Sequence, residues 1–147
     1  MKKIYSLIIF FSVILICGCS KDFLKSYDRR IIGTWKISDV DRVGFGGDTD
    51  ALPFTGGTFT FYENGSLDYI NAANVIFKGT WDLKKKRNYD NGNGNDERLH
   101  SLQITAVDFN SQQVLGEYYD DINFVGTNHF KAKIISNFHT YVTHFRR

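Results

Sequence analysis

Ile31-Ile32-Gly33-Thr34-Trp35-Lys36-Ile37-Ser38 alternates apolar and polar residues, the period of two that marks a half-buried strand. The stretch has a sister, Val75-Ile76-Phe77-Lys78-Gly79-Thr80-Trp81-Asp82-Leu83-Lys84. There Phe77, Gly79, Trp81 and Leu83 share one face, in the phase of Ile31, Gly33, Trp35 and Ile37, while Lys78, Thr80, Asp82 and Lys84 share the other. Two strands with a Gly-Thr-Trp centre and matching phase imply one interior, lined from two sides.

The flanking segments extend that pattern. Thr58-Phe59-Thr60-Phe61-Tyr62 and Leu67-Asp68-Tyr69-Ile70 surround Glu63-Asn64-Gly65-Ser66, a hairpin signal. A two-residue loop would set Phe61 opposite Asp68. A three-residue loop with Gly65 left-handed in a bulge sets Phe61 opposite Leu67 and Phe59 opposite Tyr69, and burial favours it. By the same test Gly126-Thr127-Asn128 pairs Phe124 with Phe130 and Ile122 with Ala132, leaving Lys131 and Lys133 facing water. Leu102, Ile104 and Ala106 alternate with Gln103 and Thr105 in a further strand, and residues 114–121 read as the start of a long bent strand, with a short helix as the alternative. In the last strand Phe138, Thr140, Val142 and His144 share one face, and His139, Tyr141, Thr143 and Phe145 the other. Two long loops stand out. Residues 44–56 hold the only proline together with Phe45, Leu52 and Phe54, and read either as a lid or as a plain connection. The second, residues 88–96, is polar. The expected fold is all-β, an up-and-down antiparallel barrel of about eight strands, with a two-sheet sandwich as the alternative.

The beginning of the chain is of another kind. Met1-Lys2-Lys3, an apolar run from Ile4 to Ile16 and then Cys17-Gly18-Cys19 form the three parts of a secretory signal. The run is shorter than the roughly 20 apolar residues of a bilayer crossing. Ile16-Cys17-Gly18-Cys19 resembles the lipobox of bacterial lipoproteins, where the signal is cut before a cysteine that carries acyl chains, palmitate among them. That resemblance implies a signal peptide over residues 1–18, a lipid on Cys19, a tether over residues 19–30 and a domain over residues 31–147. Ser20 after the cysteine implies outer-membrane delivery, and Asp22 leaves the periplasmic face and the cell surface both open. A conventional secretion signal with ordinary thiols is the alternative.

Removing the leader also removes Lys2 and Lys3, bringing the 18 basic residues level with the 16 acidic ones. Such a balance gives no argument for nucleic acid. With Cys17 gone and Cys19 acylated, neither a disulfide nor a cysteine-based metal or catalytic site is available.

Gly33-Thr34-Trp35 on a first strand, a long loop after it and a meander ending in basic residues together resemble the lipocalins, and especially the small lipocalin-like lipoproteins of Gram-negative bacteria. Lys78-Gly79-Thr80-Trp81-Asp82-Leu83 and the Phe-Tyr-Glu-Asn-Gly hairpin strengthen the likeness. It implies that Gly33 and Trp35 close a barrel floor, with Arg146 or Arg147 stacked across it. It also implies a carrier of a small apolar ligand. Trp35, Phe59, Phe61, Tyr69, Phe77, Trp81 and Leu102 are expected to face inward, as a pocket lining or as plain core.

Chemistry is sparse. Counting from Asp90, the oxygens of a calcium loop fall on Gly92, Gly94 and Ser101 and fail the pattern. Glu117, Asp120 and Asp121 read as a solvated edge rather than an ion site, and His100, His129, His139 and His144 lack metal-type spacing. No nucleophile elbow or phosphate loop occurs. No metal, cofactor or catalytic activity is expected. The run Lys84-Lys85-Lys86-Arg87 reads as a solvated strand end, with anionic lipid as a lesser possibility. The expected function is a membrane-anchored binding or carrier module. The alternative is a filled-core protein that engages an envelope or host protein through its loops.

Overall fold

The computed structural model describes residues 26–44, 52–88, 97–136 and 139–147. The expected signal peptide, Cys19 and most of the tether lie outside the described residues, as do residues 45–51 and 89–96 of the two long loops, and Phe138.

One short helix, α1 (Tyr27–Ile31), precedes nine strands: β1 (Gly33–Val43), β2 (Thr58–Phe61), β3 (Ser66–Ile70), β4 (Ile76–Asn88), β5 (Glu97–Asp108), β6 (Gln113–Tyr119), β7 (Asp121–Phe124), β8 (His129–Ser136) and β9 (His139–Arg146). All belong to one sheet in the order β6-β5-β4-β3-β2-β1-β9-β8-β7, and every pairing is antiparallel. The two-sheet alternative is thereby set aside. Both hairpin registers follow the burial argument: Phe61 pairs with Leu67 and Phe59 with Tyr69, and Gly65 has φ +81°. Phe124 pairs with Phe130 and Ile122 with Ala132, with Lys131 and Lys133 exposed.

The expected barrel of about eight strands needs correcting on closure. Among the described residues there are nine strands, and their ladder does not close. The break arises at Asp120. The segment expected to be one bent strand leaves β5 after Tyr119, crosses at Asp120, and resumes as β7 on the opposite edge of the sheet. The two edges are joined at single points, one backbone bond and two carboxylates, instead of by a ladder. The Asp120 amide donates to the Lys133 carbonyl (2.7 Å), Asp120 Oδ2 accepts from the Ile135 amide (2.9 Å), and Asp121 Oδ1 accepts from the His100 amide (3.3 Å). The two carboxylates thus satisfy edge donors that a closed ring would have paired backbone to backbone.

The inward faces form one core. Trp35, Phe59, Phe61, Phe77, Leu102, Ile104, Phe130 and Phe145 are all buried to within 1% of complete. Burying a large apolar side chain contributes about 1.5–3 kcal/mol, so this interior is the main source of stability. Gly79 allows the closest strand approach. A Cβ there would lie 1.8 Å from the Thr105 carbonyl oxygen on β5.

Candidate functional site

Helix α1, the 62–65 turn, the 125–128 turn and Arg147 gather at one end of the rolled sheet and seal it. Trp35 is fully buried, and its indole N–H donates to the Ile31 carbonyl at 2.6 Å. Over that indole lies the Arg147 guanidinium, 4.4 Å from the ring centroid, and its Nη2 donates to the carbonyls of Arg30 and Ile32. Arg146 is exposed on the outer face, so of the two arginines weighed for the floor, it is Arg147 that stacks on Trp35. Gly33, at φ +116°, has the Arg147 guanidinium beside it. A second arginine repeats the arrangement: Arg30 lies 4.3 Å over Phe124 and donates to the Gly126 carbonyl. Tyr27 stacks on His100 at 3.9 Å and meets Phe124 edge-on. Burial, with the nearby Lys85 charge, holds the His100 imidazole below its usual range.

The seven residues expected to face inward divide unequally. Trp35, Phe59, Phe61, Tyr69, Phe77 and Leu102 are core, and Trp81 is half-buried against it, its indole N–H donating to the Tyr62 carbonyl. They pack on one another instead of surrounding space. Ring centroids stand 4.4 Å apart for Phe59–Tyr69, 5.5 Å for Tyr69–Phe77 and 5.8 Å for Phe61–Trp81. Phe54, from the expected lid, is itself buried edge-on to Phe59 and Tyr69, and the Tyr69 hydroxyl donates to the Gly56 carbonyl. Residues 52–57 thus plug the sheet from above. The interior retains one polar region. The Tyr119 hydroxyl and Thr143 Oγ1 are buried near each other without reaching hydrogen-bond geometry. Glu117 shares the inward row of β6, its carboxyl pushed above the usual range by burial, and Tyr119 is pushed far up, by burial and then by the Glu117 charge.

Among the described residues, depressions of about 350 and 330 Å³ are wide open to solvent, one beside Gln103, Glu117 and Tyr118, the other beside Asp28, Glu63 and Trp81. Of the seven inward residues, only Trp81 touches either.

On the outer face the structure brings together three residues that the sequence did not. His144 Nε2 lies 2.9 Å from Asp41 Oδ2, and its Nδ1 lies 3.2 Å from His129 Nε2, a relay across β1, β9 and β8. His129 is held below the usual imidazole range by burial, then by His144, Arg146 and Lys131. Its signal was available in the register, since Lys131 pairs with His144 and His129 stands two residues along on the same face. Among the described residues no group of three or more His, Cys, Asp and Glu could hold a metal ion.

The end opposite the seal carries the tips of β3–β4 and β5–β6 and the ends of β1 and β8. Six large apolar side chains are exposed there: Val43, Ile70, Ile76, Phe109, Val114 and Ile135, with Phe109 at 75% and Val114 at 63%. Among the described residues no helix is long and apolar enough to cross a membrane. Comparison with protein-family models, with curated proteins and with solved structures finds no match for this chain.

Proposed function

We propose that this chain is a lipid-anchored envelope protein, held through Cys19 at the outer membrane, that works as an interaction module and presents its apolar rim to another envelope protein. The observation that carries the reading is the distribution of apolar side chains. The aromatics that would line a ligand cavity pack ring to ring, while six of the nine large apolar or aromatic side chains exposed among the described residues, Val43, Ile70, Ile76, Phe109, Val114 and Ile135, stand in solvent at one end, the others being Tyr62, Tyr118 and Val125. Large apolar groups gathered on a surface mark interaction sites more often than chance exposure does. Of the two functions expected from the sequence, the ring-to-ring packing among the described residues favours the partner-binding one, and the lipocalin-like likeness then bears on strand layout alone. No catalytic role is part of this reading.

The test is site-specific photocrosslinking in intact cells, with the reactive residue at Phe109 or Ile76 on the rim, or at Thr80 on the flank. One discrete protein adduct is expected from both rim positions and none from Thr80. Adducts equal at all three positions, or absent at the rim, contradict the reading.

A further inference from the structure

The outer face near the sealed end brings like charges together. Lys36 on β1 pairs directly with Arg146 on β9, and beyond Arg146 on β8 stands His129, whose imidazole burial holds below its usual range. Lys131 follows two residues along β8, with its side chain exposed. Like charges directly opposite each other on a sheet face are destabilising. Among the described residues Lys36, Arg146 and Lys131 make no ion pair, whereas on the other flank Lys78 is paired with Asp68 and Lys84 with Asp82. Arg29 and Arg147 extend the cationic surface onto the seal, and the hydrogen bonds of Arg147 go to neutral carbonyls, which leave its charge in place. Asp28 on α1, Glu63 on the 62–65 turn and Asp39 and Asp41 on β1 are acidic groups at the seal and along this surface, and Asp41 is engaged by His144. The cationic strip therefore begins at the seal and is densest up to the relay, with Lys133 one step beyond it on β8.

We infer that this strip, with the sealed end, rests on an anionic lipid surface. The occupant follows from charge and from chain length. The described chain enters at the sealed end, and six residues lie between Cys19 and Ser26, a reach of about 25 Å when extended. The 11 residues of β1 place the rim about 35 Å further along the sheet. Resting on the lipidation of Cys19 proposed above, the strip turns a loose tether into a fixed orientation, sealed end down and apolar rim outward. Each basic side chain at an anionic surface contributes about fivefold in affinity.

The full chain is reconstituted in vesicles of phosphatidylcholine alone or with phosphatidylglycerol added, and amine acylation is followed lysine by lysine by mass spectrometry. Labelling of Lys36 and Lys131 is expected to slow by about fivefold in the anionic vesicles, with Lys78 unchanged. The protection is expected to vanish in about 1 M salt, where the screening length is about 3 Å, and in the R146E/K131E variant, read at Lys36. Equal labelling in both vesicles, or protection that survives salt or the charge reversal, overturns the proposal. The anchor is read separately: failure to stay on neutral vesicles contradicts lipidation, and docking is then judged by anionic vesicles against vesicle-free protein.

Discussion

Gly33 and Gly79 hold the same place in the two Gly-Thr-Trp segments for different physical reasons. Gly33 adopts φ +116°, a conformation that L side chains rarely take. Gly79 has no such φ, but an added Cβ would meet the Thr105 oxygen at 1.8 Å and Ala106 Cα at 2.8 Å, both backbone atoms that cannot swing aside. Gly79→Ala is therefore expected to cost about 1–3 kcal/mol in urea unfolding, with Gly116→Ala, whose nearest neighbour is at 3.8 Å, close to neutral. Equal effects would remove the close-approach explanation. Tyr119 offers a contrast of opposite sign. Among the described residues its buried hydroxyl has no hydrogen-bond partner, so Tyr119→Phe is expected to leave stability unchanged or raise it by up to about 1 kcal/mol. A loss beyond that would mean the hydroxyl is bonded in solution. Arg146 and Arg147 show how far alternation reaches. Phe145 faces inward, so parity sends Arg146 out and Arg147 back over Trp35. The resemblance supplied only "a terminal arginine", and the parity of β9 decides between the two.

The elements most legible in the sequence were those whose pairing is local. The β2–β3 and β7–β8 hairpins carry their register in loop length and burial, and both pair as expected. The seam was not legible, because a strand that changes edges at Asp120 looks in sequence like one bent strand. Nothing near residue 120 announces that its carboxylate will meet the amide of Ile135, or that Asp121 will meet His100. Helix α1 escaped notice for a related reason. Its stabilising partners, Gly126, Phe124 and Arg147, lie about a hundred positions away. Asp120→Ala is expected to lower stability by about 1–2 kcal/mol and to speed amide exchange at Ile135 without changing exchange in β3 and β4. Uniform acceleration across the sheet would contradict a local stitch.

At the scale of the whole molecule, titration couples to folding through two imidazoles. Burial holds His100 and His129 below the usual range, so the unfolded chain takes up their protons first. That contribution is complete above about pH 6.5 and is lost as pH falls through the window beneath it. Tm is therefore expected to drop between pH 7 and pH 5, less steeply in His129→Gln. Glu117, whose carboxyl burial raises, opposes the change toward the acid end of the window, so the test is the difference between the parent and His129→Gln, and superimposable profiles would mean that the His129 ring titrates normally. The interior is where sequence and structure part most: seven inward residues were found from alternation alone, yet alternation cannot say whether such residues surround a cavity or fill it. Filling depends on how near the opposite walls come, which Gly79 and Phe54 help decide. Trp35, buried at the sealed end of that packing against Phe124 and Phe130, reports on it directly. In a Trp81→Phe variant it is the sole tryptophan, and titration with a long-chain fatty acid should leave its fluorescence unchanged; saturable quenching at one equivalent would place a ligand among these rings and contradict the filled interior.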